Sequence, residues 1–143
     1  MSDRSDKAVK LMAGHFNCAQ SVFGAFCDDE GLSMASAAAI ASGFGGGIAL
    51  GGEVCGAVTG AVMVLGLRHG KGADTDPEKK QQTYAAVRQF FDAFREKYGS
   101  LVCRDLLGLD LSVPEDYQRA KDEELFKKIC PKFVEYAAEL LDK

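Results

Sequence analysis

Apolar residues recur every three or four positions along most of this chain, and runs that alternate apolar with polar residues are scarce. The first pattern is typical of helices that bury one face, and the second would indicate strands. The clearest helix is predicted between Asp76 and Gly99. Asp76 can cap it, Pro77 suits its first position, and Gly99 can end it. Its apolar stripe consists of Tyr84, Val87, Phe91, Phe94 and Tyr98.

The same periodicity predicts further helices in the rest of the chain. They cover residues 3–16, 17–31, 33–42, 53–68, 100–107, 114–120 and 123–142. Asn17 and Ser33 are placed to cap the second and third of these helices. Pro131 is expected to split or kink the last one, because proline lacks the N–H that a helix interior uses.

The helix over residues 53–68 is apolar on all sides, which is typical of a helix at the centre of a protein. Gly56 and Gly60 are four residues apart and share one of its faces, so a neighbouring backbone can approach closely there. We therefore expect an all-α fold. It would be a compact single domain over residues 1–143, with helices arrayed around a buried central helix rich in glycine, alanine and valine.

The charge of the chain restricts its partners. A formal net charge of −4 with no basic run argues against binding to nucleic acid or to anionic membrane surfaces. Residues 31–52 carry no charge, but a glycine run interrupts them, so we do not expect membrane insertion. The first six residues are polar and lack the apolar core of a signal peptide, which predicts a cytoplasmic protein.

Five cysteines without any Cys-x-x-Cys pair argue against a disulfide framework. Four of them stand at predicted helix starts, where the helix dipole and free N–H groups favour a thiolate. These four are Cys18, Cys55, Cys103 and Cys130. We expect them to converge at one end of the central helix. Cys27 lies beside three carboxylates and is assigned no role, so Cys55 is predicted to be alkylated faster than Cys27.

Five short segments carry a resemblance to a known family. They are Phe16-Asn17-Cys18-Ala19-Gln20, Ser42-Gly-Phe-Gly-Gly-Gly47, Cys55-Gly-Ala-Val-Thr-Gly60, Cys103-Arg-Asp-Leu-Leu-Gly108 and Cys130-Pro131. Together they resemble the C_GCAxxG_C_C family, a four-cysteine family to which a redox role is ascribed. The resemblance spans roughly residues 16–141 and implies that the same four cysteines form the functional set. Asn17 stands where a glycine often precedes the first family cysteine.

Two uses of these four cysteines stay open at this point. As thiolates they are soft ligands, suited to an iron–sulfur cluster, zinc or copper(I). As thiols they can form reversible disulfide couples, in a thiol-dependent oxidoreductase with Cys55 and Cys18 as candidate catalytic residues. The electron donor or acceptor would be a redox partner protein, and two copies of the chain could also form a homodimer. The alternative is an accessory partner-binding or structural module whose cysteines only pack.

The glycines near Cys55 do not match a nucleotide-binding loop, since neither Gly-x-Gly-x-x-Gly nor Gly-Lys-Ser/Thr occurs among them. Their ordinary use is to allow tight backbone turns. Their N–H groups could also bind a thiolate or an anionic cofactor. The candidates for that role are Gly45, Gly46, Gly47 and Gly56. His15 is considered only as a residue that supports Cys18.

Overall fold

The computed structural model describes residues 3–70, 72–73 and 76–143, and over these residues the fold is all-α, as predicted. The helices are α1 (Asp3–Ala13), α2 (Cys18–Phe26), α3 (Met34–Ala41), α4 (Gly56–His69), α5 (Pro77–Tyr98), α6 (Cys103–Leu107), α7 (Pro114–Asp122), α8 (Leu125–Lys128) and α9 (Cys130–Leu141). Two short 3₁₀ turns, Cys27–Glu30 and Ser42–Phe44, extend α2 and α3. An isolated antiparallel bridge pairs Val54 with Val102.

Local signals set most helix boundaries. The Asn17 side chain accepts the N–H of Gln20 at 2.8 Å, and the Gln20 side chain accepts the N–H of Asn17 at 3.0 Å. This reciprocal cap satisfies two donors that the first turn leaves free. Asp76 caps α5, and Gly99 ends it with φ 82°, so both predictions are confirmed.

Several predicted ends were wrong by a few residues. α1 stops at Ala13 instead of residue 16, since His15 takes a left-handed φ of 82° that a right-handed helix excludes. α4 starts at Gly56 instead of residue 53, because Val54 is engaged in the bridge. The last predicted helix is two helices, and the prediction that Pro131 divides it is confirmed by its place in the first turn of α9.

α4 is the central helix, as predicted, and packs closely against α2 in the main core. A Cβ atom at Gly60 would lie 2.7 Å from the carbonyl oxygen of Ala19, and one at Gly56 would lie 2.9 Å from the Ala19 amide nitrogen. Only residues without a Cβ permit this approach. No helix within the described residues is long and apolar enough to cross a membrane.

A second, smaller apolar cluster joins α6, α7 and the loop between them. Its buried members are Cys103, Leu111 and Ala120, and Tyr117 and Phe126 pack on its edge. The rings of Tyr117 and Phe126 lie 6.1 Å apart, centre to centre. This cluster covers the start of α6, so it forms one wall of the cysteine site described next.

Candidate functional site

The four cysteines at helix starts line one internal cavity, and Cys27 is not among the residues around it. The predicted convergence of four cysteines, with Cys27 elsewhere, is therefore confirmed. The other lining residues are Gly46, Gly47, Gly56, Leu106, Leu107, Leu111, Phe126 and Phe133. The cavity holds about 30 Å³, room for a water molecule or a single ion.

Each of these cysteines stands at the beginning of a helix. Cys18, Cys103 and Cys130 are the first residues of α2, α6 and α9, and Cys55 is the residue before α4. The backbone of Cys55 is extended there, with φ −57° and ψ 137°. The four helix starts therefore point their thiols into one space, although they come from separate parts of the sequence.

The isolated bridge fixes two of the cysteines relative to each other. The Cys55 amide donates to the carbonyl of Leu101 at 2.8 Å, and the Cys103 amide donates to the carbonyl of Glu53 at 2.7 Å. These two bonds flank the pairing of Val54 with Val102. Cys55 and Cys103 are thus held at the cavity by backbone hydrogen bonds, while Cys18 and Cys130 are held by helix packing.

The glycine loop forms another wall of the cavity. A Cβ at Gly47 would lie 2.7 Å from the Cβ of Cys103, and a Cβ at Gly56 would lie 3.0 Å from the Cβ of Cys18. Glycine at these two positions lets backbone approach the cysteines directly. Gly46 also lines the cavity, whereas Gly45 lies outside it and packs against Asn17. Their predicted role in binding a cofactor stays a prediction.

Five consecutive residues of this loop, 46–50, have left-handed backbone conformations with φ between 50° and 73°. Three of them carry side chains: Ile48, Ala49 and Leu50. Each such residue costs roughly 1–2 kcal/mol in this conformation. Loop hydrogen bonds hold it, including those from the Leu50 amide to Gly45 at 3.0 Å and from the Glu53 amide to Gly47 at 2.9 Å. Strain of this kind is concentrated at functional sites.

The prediction that helix starts would favour a thiolate at Cys55 is wrong for this structure. Burial raises the pKa of Cys55 to about 12, although the amides of Ala57 and Val58 act in the opposite direction. Burial likewise raises the pKa of Cys103 to about 11. Taking a charge out of water outweighs the few N–H groups that face the sulfur. Burial also raises the pKa of Cys27. The predicted order of alkylation, with Cys55 ahead of Cys27, stays a prediction.

Cys18 and Cys130 behave differently, because their thiols line the same cavity and the pKa of each depends on the other. Their interaction lowers the pKa of Cys130 and raises the pKa of Cys18 well above its ordinary value, with burial adding to the rise. The two thiols therefore titrate as a coupled pair. Both thiols line the same cavity, and exchange between two thiols requires that they lie near each other.

Cys18 is the partly exposed member of the four, and the other three are buried. It also lines a wider outer cleft of about 960 Å³, which it shares with Gly46 and Phe126 from the inner cavity. These three residues form the partition between cleft and cavity. Sequence reasoning missed Phe126, because its only signal was apolar spacing in a short helix.

The cavity offers four sulfur atoms as possible metal ligands, but they are not arranged as a metal site. In the parts of the chain that the structure describes, no three cysteine, histidine or acidic side chains are arranged to hold an ion. The donor set of four thiols suits a soft metal. Ligation by Cys18, Cys55, Cys103 and Cys130 therefore stays a prediction, and it would require the sulfurs to move.

Comparison with known proteins gives one match. A family model described as "Putative redox-active protein (C_GCAxxG_C_C)" matches residues 16–143, which include all the helices from α2 onwards and all four cysteines of the cavity. No curated protein and no solved structure matches the chain.

Proposed function

Since the chain belongs to the C_GCAxxG_C_C family, we propose that it is a dithiol redox protein in which Cys18 and Cys130 form a reversible disulfide. The observation that carries this proposal is that both thiols line one buried cavity, while Cys18 also lines the open cleft. Cys55 and Cys103 lie deeper and keep their protons at neutral pH, because burial raises the pKa of both thiols.

The reaction proceeds by exchange with a disulfide substrate. Cys130 first gives its proton to water, and the proton of Cys18 then passes to the Cys130 thiolate as Cys18 attacks one sulfur of the substrate. A mixed disulfide forms on Cys18, the substrate disulfide breaks, and the departing sulfur takes up the proton from Cys130. The Cys130 thiolate then attacks Cys18 and releases the second substrate sulfur as a thiolate. That thiolate takes up a proton from water, so two electrons and two protons have moved from the protein dithiol to the substrate, which leaves as two thiols.

The arrangement suits the order of these steps. A substrate can reach Cys18 from the cleft, whereas Cys130 is only 6% exposed. The first thiol in such an exchange must be accessible, and the second needs only to reach the first. Cys55 remains a candidate thiol for a later step, in which it would act on the Cys18–Cys130 disulfide from inside the cavity.

The test is oxidation of the fully reduced protein with diamide, followed by digestion and mass spectrometry. We expect one intramolecular disulfide between Cys18 and Cys130, with the loss of two thiols. Cys18→Ser and Cys130→Ser should each prevent it, and Cys27→Ser is the matched control that should leave it unchanged. Loss of two thiols on oxidation of the Cys18→Ser variant would contradict the proposal.

A second function is supported by the four thiols around one cavity: after the sulfurs move into place they would hold a zinc ion, or, in a wider cavity, an iron–sulfur cluster. Bound there, a cluster would supply one-electron transfer and zinc would supply structure. The side chains of this chain would provide four sulfur ligands and an apolar wall that excludes water. Anaerobic purification with metal and acid-labile sulfide analysis tests this. Metal that is retained by Cys27→Ser and lost from Cys103→Ser would favour it over the dithiol couple.

A further inference from the structure

The outer cleft beside Cys18 has the size of a small-molecule site. Its volume of about 960 Å³ falls at the upper end of the range for ligand pockets, roughly 300–1,000 Å³. Apolar side chains make up most of its walls. They are Val9, Met12, Ala13, Phe16, Ala49, Leu50, Phe126 and Pro131.

The charge of the cleft differs from that of the chain. The full sequence has a net charge of −4, yet no aspartate or glutamate is among the described residues that line the cleft. Lys127 lines it and supplies a positive charge, and the exposed His15 also lines it. The Asn17 side chain, which also lines the cleft, is engaged in the fold: it donates to the carbonyl of Ser42 at 3.1 Å.

Lys127 is only loosely neutralised. Its Nζ lies 3.9 Å from a carboxylate oxygen of Glu124, while the Nζ of Lys128 lies closer to the same carboxylate, at 3.5 Å. One carboxylate thus serves two lysines, and the Lys127 side chain is 82% exposed. An anionic group on a ligand in the cleft can pair with it without breaking a strong ion pair.

We infer that this cleft binds a low-molecular-weight disulfide with an apolar chain and a carboxylate, and that it presents the disulfide to Cys18. This inference rests on the proposed dithiol function. The apolar walls bind the apolar chain of the ligand, and Lys127 pairs with its carboxylate. Cys18, at the partition, contacts its disulfide. The protein dithiol is oxidised to one disulfide, the ligand disulfide is reduced to two thiols, and the two protons pass to the ligand sulfurs.

The first experiment measures binding without any sulfur chemistry. Calorimetry on the reduced protein compares hexanoate, heptanoate and octanoate. Each additional buried methylene should tighten binding about 4-fold. Lys127→Gln should weaken octanoate binding about 3- to 5-fold, as expected for an exposed ion pair. Lys128→Gln is the matched control and should leave it unchanged, since Lys128 does not line the cleft. Ala13→Trp should reduce binding about 10-fold or more by filling the space.

The second experiment compares reduction of lipoate with that of lipoamide, which share one disulfide and differ only in the carboxylate. Lipoate should react about 3- to 5-fold faster, and this ratio should fall to about one in Lys127→Gln but persist in Lys128→Gln. Equal rates of reduction for lipoate and lipoamide in the unmodified protein would overturn the inference. Carboxylate binding that depends neither on chain length nor on Lys127 would also overturn it. Octanoate binding as expected with no reduction of either compound would instead contradict the dithiol function and leave the binding site supported.

Discussion

The close contact between α4 and α2 can be tested with one added methyl group. In Gly60→Ala the new Cβ would lie 2.7 Å from the carbonyl oxygen of Ala19 and 3.2 Å from its Cα. Both atoms belong to backbone in a buried helix, so α2 must shift or strain. Overpacking of this kind costs about 1–3 kcal/mol.

Gly66→Ala is the matched control for this substitution. Gly66 lies in the same helix, and a Cβ there would meet no atom within 4 Å. Replacing glycine by alanine inside a helix gains up to about 1 kcal/mol at either position. The gain is common to both variants, so the difference between their unfolding free energies gives the cost of the contact, about 1–3 kcal/mol.

Urea denaturation monitored by circular dichroism measures this difference directly. Gly66→Ala should be at least as stable as the unmodified protein, and Gly60→Ala should be less stable than Gly66→Ala by more than about 1 kcal/mol. In thermal unfolding this corresponds to a Tm difference of about 3 °C or more for a chain of this size. Equal stability of the two variants would refute the packing of α4 against α2 described above.

Two further predictions concern the start of α2 and the buried thiols. Asn17→Ala removes the reciprocal cap and should lower the free energy of unfolding by about 1 kcal/mol in urea titrations, whereas Ser36→Ala on exposed α3 should have little effect. The pKa of Cys55 rises from 9.0 to about 12 on folding, so above pH 9 the unfolded chain releases a proton that the folded chain retains. Stability should therefore fall between about pH 9 and pH 12, by about 1.4 kcal/mol per pH unit from this thiol. Cys55→Ser should reduce that slope, and an unchanged slope would refute the burial argument.

The sequence predicted those features that depend on neighbouring residues. The cap at Asn17, the start of α5 at Asp76 and its end at Gly99 each rest on a side chain or backbone preference within one turn. The convergence of the four cysteines was also predictable, because all four begin helical segments and one central helix organises the fold. Pro131 marked the break before α9 for the same local reason.

Features that depend on distant contacts were not predictable. Ile48, Ala49 and Leu50 give no sign of a left-handed turn, since each prefers other conformations, and hydrogen bonds across the loop impose it. The high pKa of Cys55 has a similar origin. The sequence shows that Cys55 lies at a helix start, where N–H groups lower its pKa. It does not show the burial that raises this pKa by a larger amount, in a cavity whose walls include Phe133 of α9.

The cavity itself bears on whether the cysteines serve only to pack the core. A cavity of about 30 Å³ costs roughly 0.7 kcal/mol at about 24 cal/mol per Å³. A protein that needed these side chains for packing alone would gain by replacing one thiol with a larger apolar group that fills the space. Packing also gives no reason for one of the four thiols to line both a cleft and the cavity that it shares with another thiol. A dithiol couple requires both features, because Cys18 must meet a substrate and then return to Cys130 within the same space.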